Sequence, residues 1–105
     1  MGRAINLHPS LLPRYGGPGM YGPRVHAAVL AAGEQETGAT VHLVTGTVDG
    51  GPPLAQQRIA IRARDTPESL RARLHPVEVE LLIATIGRFA SGQLALPYVV
   101  PLDRR

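Results

Sequence analysis

The sequence predicts a single α/β domain spanning residues 1–105, with the element order β-α-β-β-α-β. Three observations carry that reading. Short apolar runs bounded by Gly and Pro recur as strands would, and two longer stretches repeat their apolar residues at helical spacing. A length of 105 residues also suffices for one modest core but not for two domains.

Residues 3–7 (Arg-Ala-Ile-Asn-Leu) read as the first strand, closed by Pro9 and Pro13, which lack the N–H that a ladder needs. Pro9 to Pro23 holds eight Gly or Pro residues and reads as a loop. Tyr21–Ala32 then sets Val25, Ala28, Val29 and Ala32 on one helical face, with Gly33 placed to stop the helix. In Ala39–Thr45, Val41 and Leu43 alternate with Thr40, His42 and Val44 as the second strand. A turn-rich stretch, Gly46–Pro53, separates it from a third strand over Leu54–Arg62.

The last helix has the clearest start. Thr66 is a suitable N-cap, Pro67 fits the first helical position, and Glu68 complements the positive end of the helix dipole. Leu70, Leu74, Val77, Leu81 and Ala84 follow at helical spacing toward a stop near Gly92, and Pro76 is expected to kink or divide the helix. Gln93–Val100 reads as a terminal strand that Pro97 confines to an edge or bulge.

Composition removes several function classes. All eleven basic residues are Arg, and apart from the terminal Arg104/Arg105 only Arg62/Arg64 and Arg71/Arg73 lie close together, so no basic stripe forms. Tyr15, Tyr21, Phe89 and Tyr98 are the only aromatics, which leaves little surface on which bases could stack. Nucleic acid is therefore not expected as a partner. The absence of Cys excludes disulfides, thiolate chemistry and Cys-based zinc sites. No apolar run reaches membrane-spanning length and no signal-like segment opens the chain, so no membrane partner and a cytoplasmic location are expected.

The chemistry concentrates in Asn6-Leu7-His8-Pro9-Ser10-Leu11-Leu12-Pro13. Residues two apart in an extended chain project to one face, so Asn6 and His8 present an amide and an imidazole to the same small volume where the strand ends. Thirteen of the 22 Gly and Pro residues lie in the loops Pro9–Pro23 and Gly46–Pro53, which adjoin this pair and contain Asp49. Such loops bring backbone close to ligands. Asp49 is the carboxylate best placed to meet His8, and a carboxylate beside an imidazole favours its charged form and orients it. Amide, acid and orienting carboxylate together suit an oxyanion that develops during acyl transfer.

Plainer roles stand beside these. A His at a strand end is often structural, and Asp-Gly-Gly is often only a turn. Ser10 lacks the Gly-x-Ser-x-Gly elbow of a nucleophile. His26 and His42 lack His-x-x-x-His spacing, so polar or packing roles are expected and no metal. Gly16-Gly17-Pro18-Gly19 has neither the Lys nor the preceding strand of a phosphate loop.

Taken together, Ile5-Asn6-Leu7-His8-Pro9-Ser10-Leu11-Leu12-Pro13, Gly38-Ala39-Thr40-Val41-His42-Leu43-Val44 and Val48-Asp49-Gly50-Gly51-Pro52 resemble the C-terminal half of phosphoribosylglycinamide formyltransferase, in order and separation. The resemblance runs through Arg105. It implies a mixed sheet with helices packed on it and a catalytic set of Asn6, His8 and Asp49. It further implies attack by the amine of glycinamide ribonucleotide on the formyl carbon of 10-formyltetrahydrofolate, with Asn6 and protonated His8 stabilising the oxyanion. Asp49 would support the charged His8 and help order a water that relays protons. Asn6 and the backbone of Val48, Asp49 and Gly50 would line the folate pocket. Glu78 matches a Glu that binds the substrate ribose, while the His that usually follows it is replaced by Val79.

The family's N-terminal half, with its Gly-rich phosphate loop, has no counterpart before Met1, so the chain is expected to be a fragment. A complementary N-terminal half, or self-association through an exposed sheet edge, is the corresponding partner expectation. Two other enzymes and one non-enzyme compete. Formyltetrahydrofolate deformylase usually carries His-His-Ser and Asp-Glu-Gly where this chain has His-Pro-Ser and Asp-Gly-Gly. Methionyl-tRNA formyltransferase carries an Arg-Gly and an Asp-Thr-Gly that this chain lacks. The non-enzyme alternative is a folate-binding fragment without turnover.

Overall fold

The computed structural model describes residues 4–44 and 51–92, so the expectations for Val48, Asp49, Gly50 and the terminal strand Gln93–Val100 lie outside the described residues. Five elements follow in order: β1 (Ile5–His8), α1 (Pro23–Ala31), β2 (Glu36–Leu43), β3 (Pro53–Ala60) and α2 (Pro67–Ala90). All five were expected from periodicity, with ends displaced by a few residues. β2 starts earlier than its alternation suggested because Gly38 lies inside the strand rather than before it. A Cβ there would sit 2.0 Å from the Gln57 carbonyl oxygen and 2.6 Å from Leu11 Cδ2, so only glycine fits.

The sheet order is β1-β2-β3, with β2 central. Ile5 pairs with Leu43 and His8 with Thr40, while Glu36 pairs with Ala60 and Val41 with Ala55. Every pairing among the described residues is antiparallel.

Val41, Leu43 and Leu54 form an apolar cluster against which Ile5, Leu7 and, from α2, Leu81, Leu82 and Phe89 pack. Helix α1 contacts α2, and Val25, Val29, Leu70 and Leu74 are fully buried. Burial of each such side chain is worth roughly 1.5–3 kcal/mol.

Helix α2 starts as expected. Thr66 Oγ1 accepts from Ser69 N at 3.1 Å, and Ser69 Oγ accepts from Thr66 N at 2.8 Å, a reciprocal cap. Asp65 anchors it by accepting from Arg62 N at 2.8 Å and Ser69 Oγ at 2.7 Å and by pairing with Arg73. Burial pushes the Asp65 carboxyl up, but these donors and the Arg73 charge outweigh it and hold the group at about 2. Of the two outcomes expected at Pro76, division does not occur: the helix continues to Ala90. Pro76 and Ala72, whose carbonyl loses its partner, are both exposed, so water can serve that oxygen. Leu70 and Leu74 on one side of Pro76 and Thr85 on the other are buried and tie both halves to the body. No described helix is long and apolar enough to cross a membrane.

Candidate active site

Asn6 and His8 lie on one face of β1, with Asn6 exposed and His8 only 4% exposed. Their cross-strand partners on that face are His42 and Thr40. Past His8 the chain leaves the sheet, as Pro9 and Pro13 suggested, and folds back so that His8 Nε2–H donates to the Tyr15 carbonyl at 2.7 Å. A carbonyl can only accept, so this bond assigns a proton to Nε2. Tyr15 itself has φ +59°, a left-handed conformation that costs a non-glycine residue energy and needs support from its surroundings. The support is visible. The Tyr15 hydroxyl donates to Glu34 at 2.6 Å, and the same carboxylate pairs with Arg14.

Thr40 clamps the segment between His8 and Tyr15. Its hydroxyl donates to the Ser10 carbonyl at 2.7 Å and accepts from Leu12 N at 3.1 Å and from Gln56 Nε2 at 3.0 Å. Gln56 Nε2 also reaches the Leu12 carbonyl at 2.9 Å. Ser10 Oγ is spent locally, donating to the Arg14 carbonyl at 2.7 Å, and Ser10 is fully buried, which fits a structural hydroxyl rather than a nucleophile. None of Thr40, Gln56, Tyr15 and Glu34 stood out in the sequence. The only available signal was that Thr40 shares a strand face with His42.

The third expected site residue in the described part of the chain, Glu78, is carried by α2. The Glu78 side chain is 17% exposed, and burial raises its pKa against the opposing influence of His75, Arg71 and His8. Its field and that of His8 thus act on each other across the β1–α2 boundary. His26 is buried, and its imidazole is pushed toward the neutral form by burial first, then by the charges of Arg71 and His8. Among the described residues its Nδ1 has no hydrogen-bond partner. His42 is buried with Nδ1–H donating to the Leu43 carbonyl at 3.0 Å. Both imidazoles are thus packed inside the described body of the protein.

The structure therefore sets Asn6 and His8 on one face of β1, and the Glu78 carboxyl lies within electrostatic reach of His8, while Asp49 lies outside the described residues. A family model described as formyl transferase matches residues 1–86. The chain belongs to the formyl transferase family. Within that family it is 44% identical over 92 residues to a chloroplastic phosphoribosylglycinamide formyltransferase of Arabidopsis thaliana, covering 88% of this chain and 32% of the relative. It is 38% identical over 95 residues to the Escherichia coli K12 phosphoribosylglycinamide formyltransferase, covering 90% and 42%.

Solved structures agree. The phosphoribosylglycinamide formyltransferase of Coxiella burnetii, solved with CHES, superposes with a TM-score of 0.79 at 45% identity, over 89% of this chain and 41% of that one. A formyltetrahydrofolate deformylase from Pseudomonas syringae superposes equally well, at 0.79, but at 25% identity, over 90% and 30%. The formyl transferase fold is thus common to transferase and hydrolase. Against these four relatives the chain spans between 30% and 42% of their length.

Proposed function

We propose that the chain carries the acid and oxyanion-binding part of a site that transfers a formyl group from 10-formyltetrahydrofolate to the amine of glycinamide ribonucleotide, a step of purine biosynthesis. The carrying observation is the state of His8: buried, at the end of a strand, with Nε2–H committed to the Tyr15 carbonyl, beside an exposed Asn6 amide on the same face. The family resemblance names the reaction, and this geometry supports the roles given to Asn6 and His8.

The folate cosubstrate supplies the formyl group when bound. As the ribonucleotide amine attacks the formyl carbon, negative charge gathers on the carbonyl oxygen, and donors aimed at it lower the barrier. Asn6 offers its amide N–H. His8 can donate to the same oxygen only through Nδ1, because Nε2–H is taken, so the imidazole acts as the cation. Asp49 would favour that cation and order the water through which protons reach the departing nitrogen. Asn6 and the backbone of Val48, Asp49 and Gly50 would line the folate pocket, and Glu78 would accept from the ribose hydroxyls. The remaining length found in the relatives is the proposed source of the phosphate contacts, and thus the proposed partner.

The test is complementation. Mixing the chain with the missing part of a relative should restore formyl transfer, and His8→Ala should reduce it by about 10²-fold or more. Undiminished transfer by His8→Ala would refute the mechanism. The deformylase superposition makes hydrolysis the second reading. Product analysis separates them: formylglycinamide ribonucleotide marks a transferase, formate a hydrolase.

A further inference from the structure

The Tyr15 carbonyl that accepts from His8 Nε2–H is aimed by a backbone at φ +59°, which a tyrosine holds only where its surroundings fix it. Two contacts fix it. Ser10 Oγ donates to the Arg14 carbonyl at 2.7 Å and so holds the peptide unit that leads into Tyr15. The phenol donates to Glu34 Oε2 at 2.6 Å, an acceptor 19 residues further along the chain. Glu34 follows the end of α1, and its backbone N–H donates to the carbonyl of fully buried Val29 at 3.4 Å, which ties it to the body. Its carboxylate also pairs with Arg14, but the Arg14 side chain is 65% exposed and such a pair fixes little. The hydrogen bond to Glu34, with burial and the carboxylate charge, pushes the Tyr15 phenol above its ordinary value, so the hydroxyl stays a donor.

We infer that Glu34 is a positioning residue for His8: by holding the Tyr15 phenol it keeps the Tyr15 carbonyl aimed at Nε2, and so fixes the proton and the orientation of the imidazole. This rests on the assignment of His8 as the acid of the site. The contacts run without a break from the end of α1 through Glu34 and the Tyr15 phenol to the Tyr15 carbonyl and the His8 ring. Which imidazole nitrogen carries the proton is set by the hydrogen bond that the ring makes to its surroundings. Without the Glu34 acceptor the phenol turns to water, and Tyr15 relaxes toward negative φ and takes its carbonyl away from His8. Nε2–H then loses the acceptor that holds it.

The experiment is ring ¹⁵N–¹H NMR of His8 in the full 105-residue chain, at a pH where the imidazole is neutral, in the parent and in Glu34→Ala, Tyr15→Phe and Glu34→Gln. Glu34→Ala and Tyr15→Phe each remove one end of the same hydrogen bond. Both are expected to raise the Nδ1–H share of His8 several-fold and to speed exchange of Nε2–H with solvent, and the double variant should do no more than either alone. Glu34→Gln keeps an acceptor for the phenol and should match the parent. The His42 ring signals should stay in place throughout. A His8 ring unchanged in either Glu34→Ala or Tyr15→Phe overturns the inference. So does an equal change in Glu34→Gln, which assigns the effect to charge, or an equal change at His42, which assigns it to a general loosening of the fold. The measurement needs no substrate, so its failure leaves the role of His8 in formyl transfer standing, to be decided by His8→Ala.

Discussion

The two faces of β2 are both buried, yet they are built on different principles. Val41 and Leu43 meet other apolar side chains from β1, β3 and α2. Gly38 and Thr40, pointing the other way, meet Leu11 and the backbone of Ser10 and Leu12. Dispersion and hydrophobic contacts are tolerant of direction, so the first face sets stability. Hydrogen bonds and a missing Cβ are not, so the second face sets where the chain goes after His8. The candidate site belongs to the directional face.

That contrast can be broken by substitution. Gly38→Val has the largest expected effect, because the new side chain meets the Gln57 backbone, which cannot swing aside. We expect a loss of about 3 kcal/mol or more in urea unfolding, with much of the chain unfolded at 37 °C. Leu43→Ala removes a buried side chain from the apolar face and should cost about 2–5 kcal/mol. Its diagnostic is what stays unchanged: hydrogen exchange at Leu12 N–H relative to global unfolding.

Thr40→Val should cost less, about 1–3 kcal/mol, since it strands the Leu12 N–H. Here Leu12 N–H should exchange faster by local opening, and the His8 resonances should shift. If Leu43→Ala loosened the Ser10–Tyr15 segment as much as Thr40→Val, the division of labour between the faces would be wrong.

The smallest effect concerns the start of α2, which neither face should feel. The Asp65 carboxyl is held at about 2, below its ordinary value near 4, so its contribution is complete above that ordinary value and is lost as pH falls through about 2. Asp65→Asn should flatten the dependence of stability on pH between about 4 and 2 without altering the His8 signals. A steep acid limb that persists in Asp65→Asn would assign it to other carboxylates.

Much of this could be read from residues in order. Strand alternation placed Asn6 and His8 on one face, and Pro9 and Pro13 marked the strand end. Thr66 and Pro67 announced the start of α2, although the reciprocal cap partner is Ser69. Gly33 stops α1 with φ +71°, as its position suggested. Pro76 left open whether the helix divides, and its continuity was decided by the burial of Leu70, Leu74 and Thr85 on either side.

The sequence by itself determined the element order and the residues that could carry the chemistry, because caps, turns and strand alternation act over a few residues. Only the tertiary structure decided the antiparallel sheet, the Thr40 clamp and the nitrogen of His8 that carries a proton. Thr40 and Leu12 are 28 residues apart and Gln56 and Leu12 are 44 apart. Contacts at such separations leave no local pattern, and they exist only once the sheet has brought their strands together.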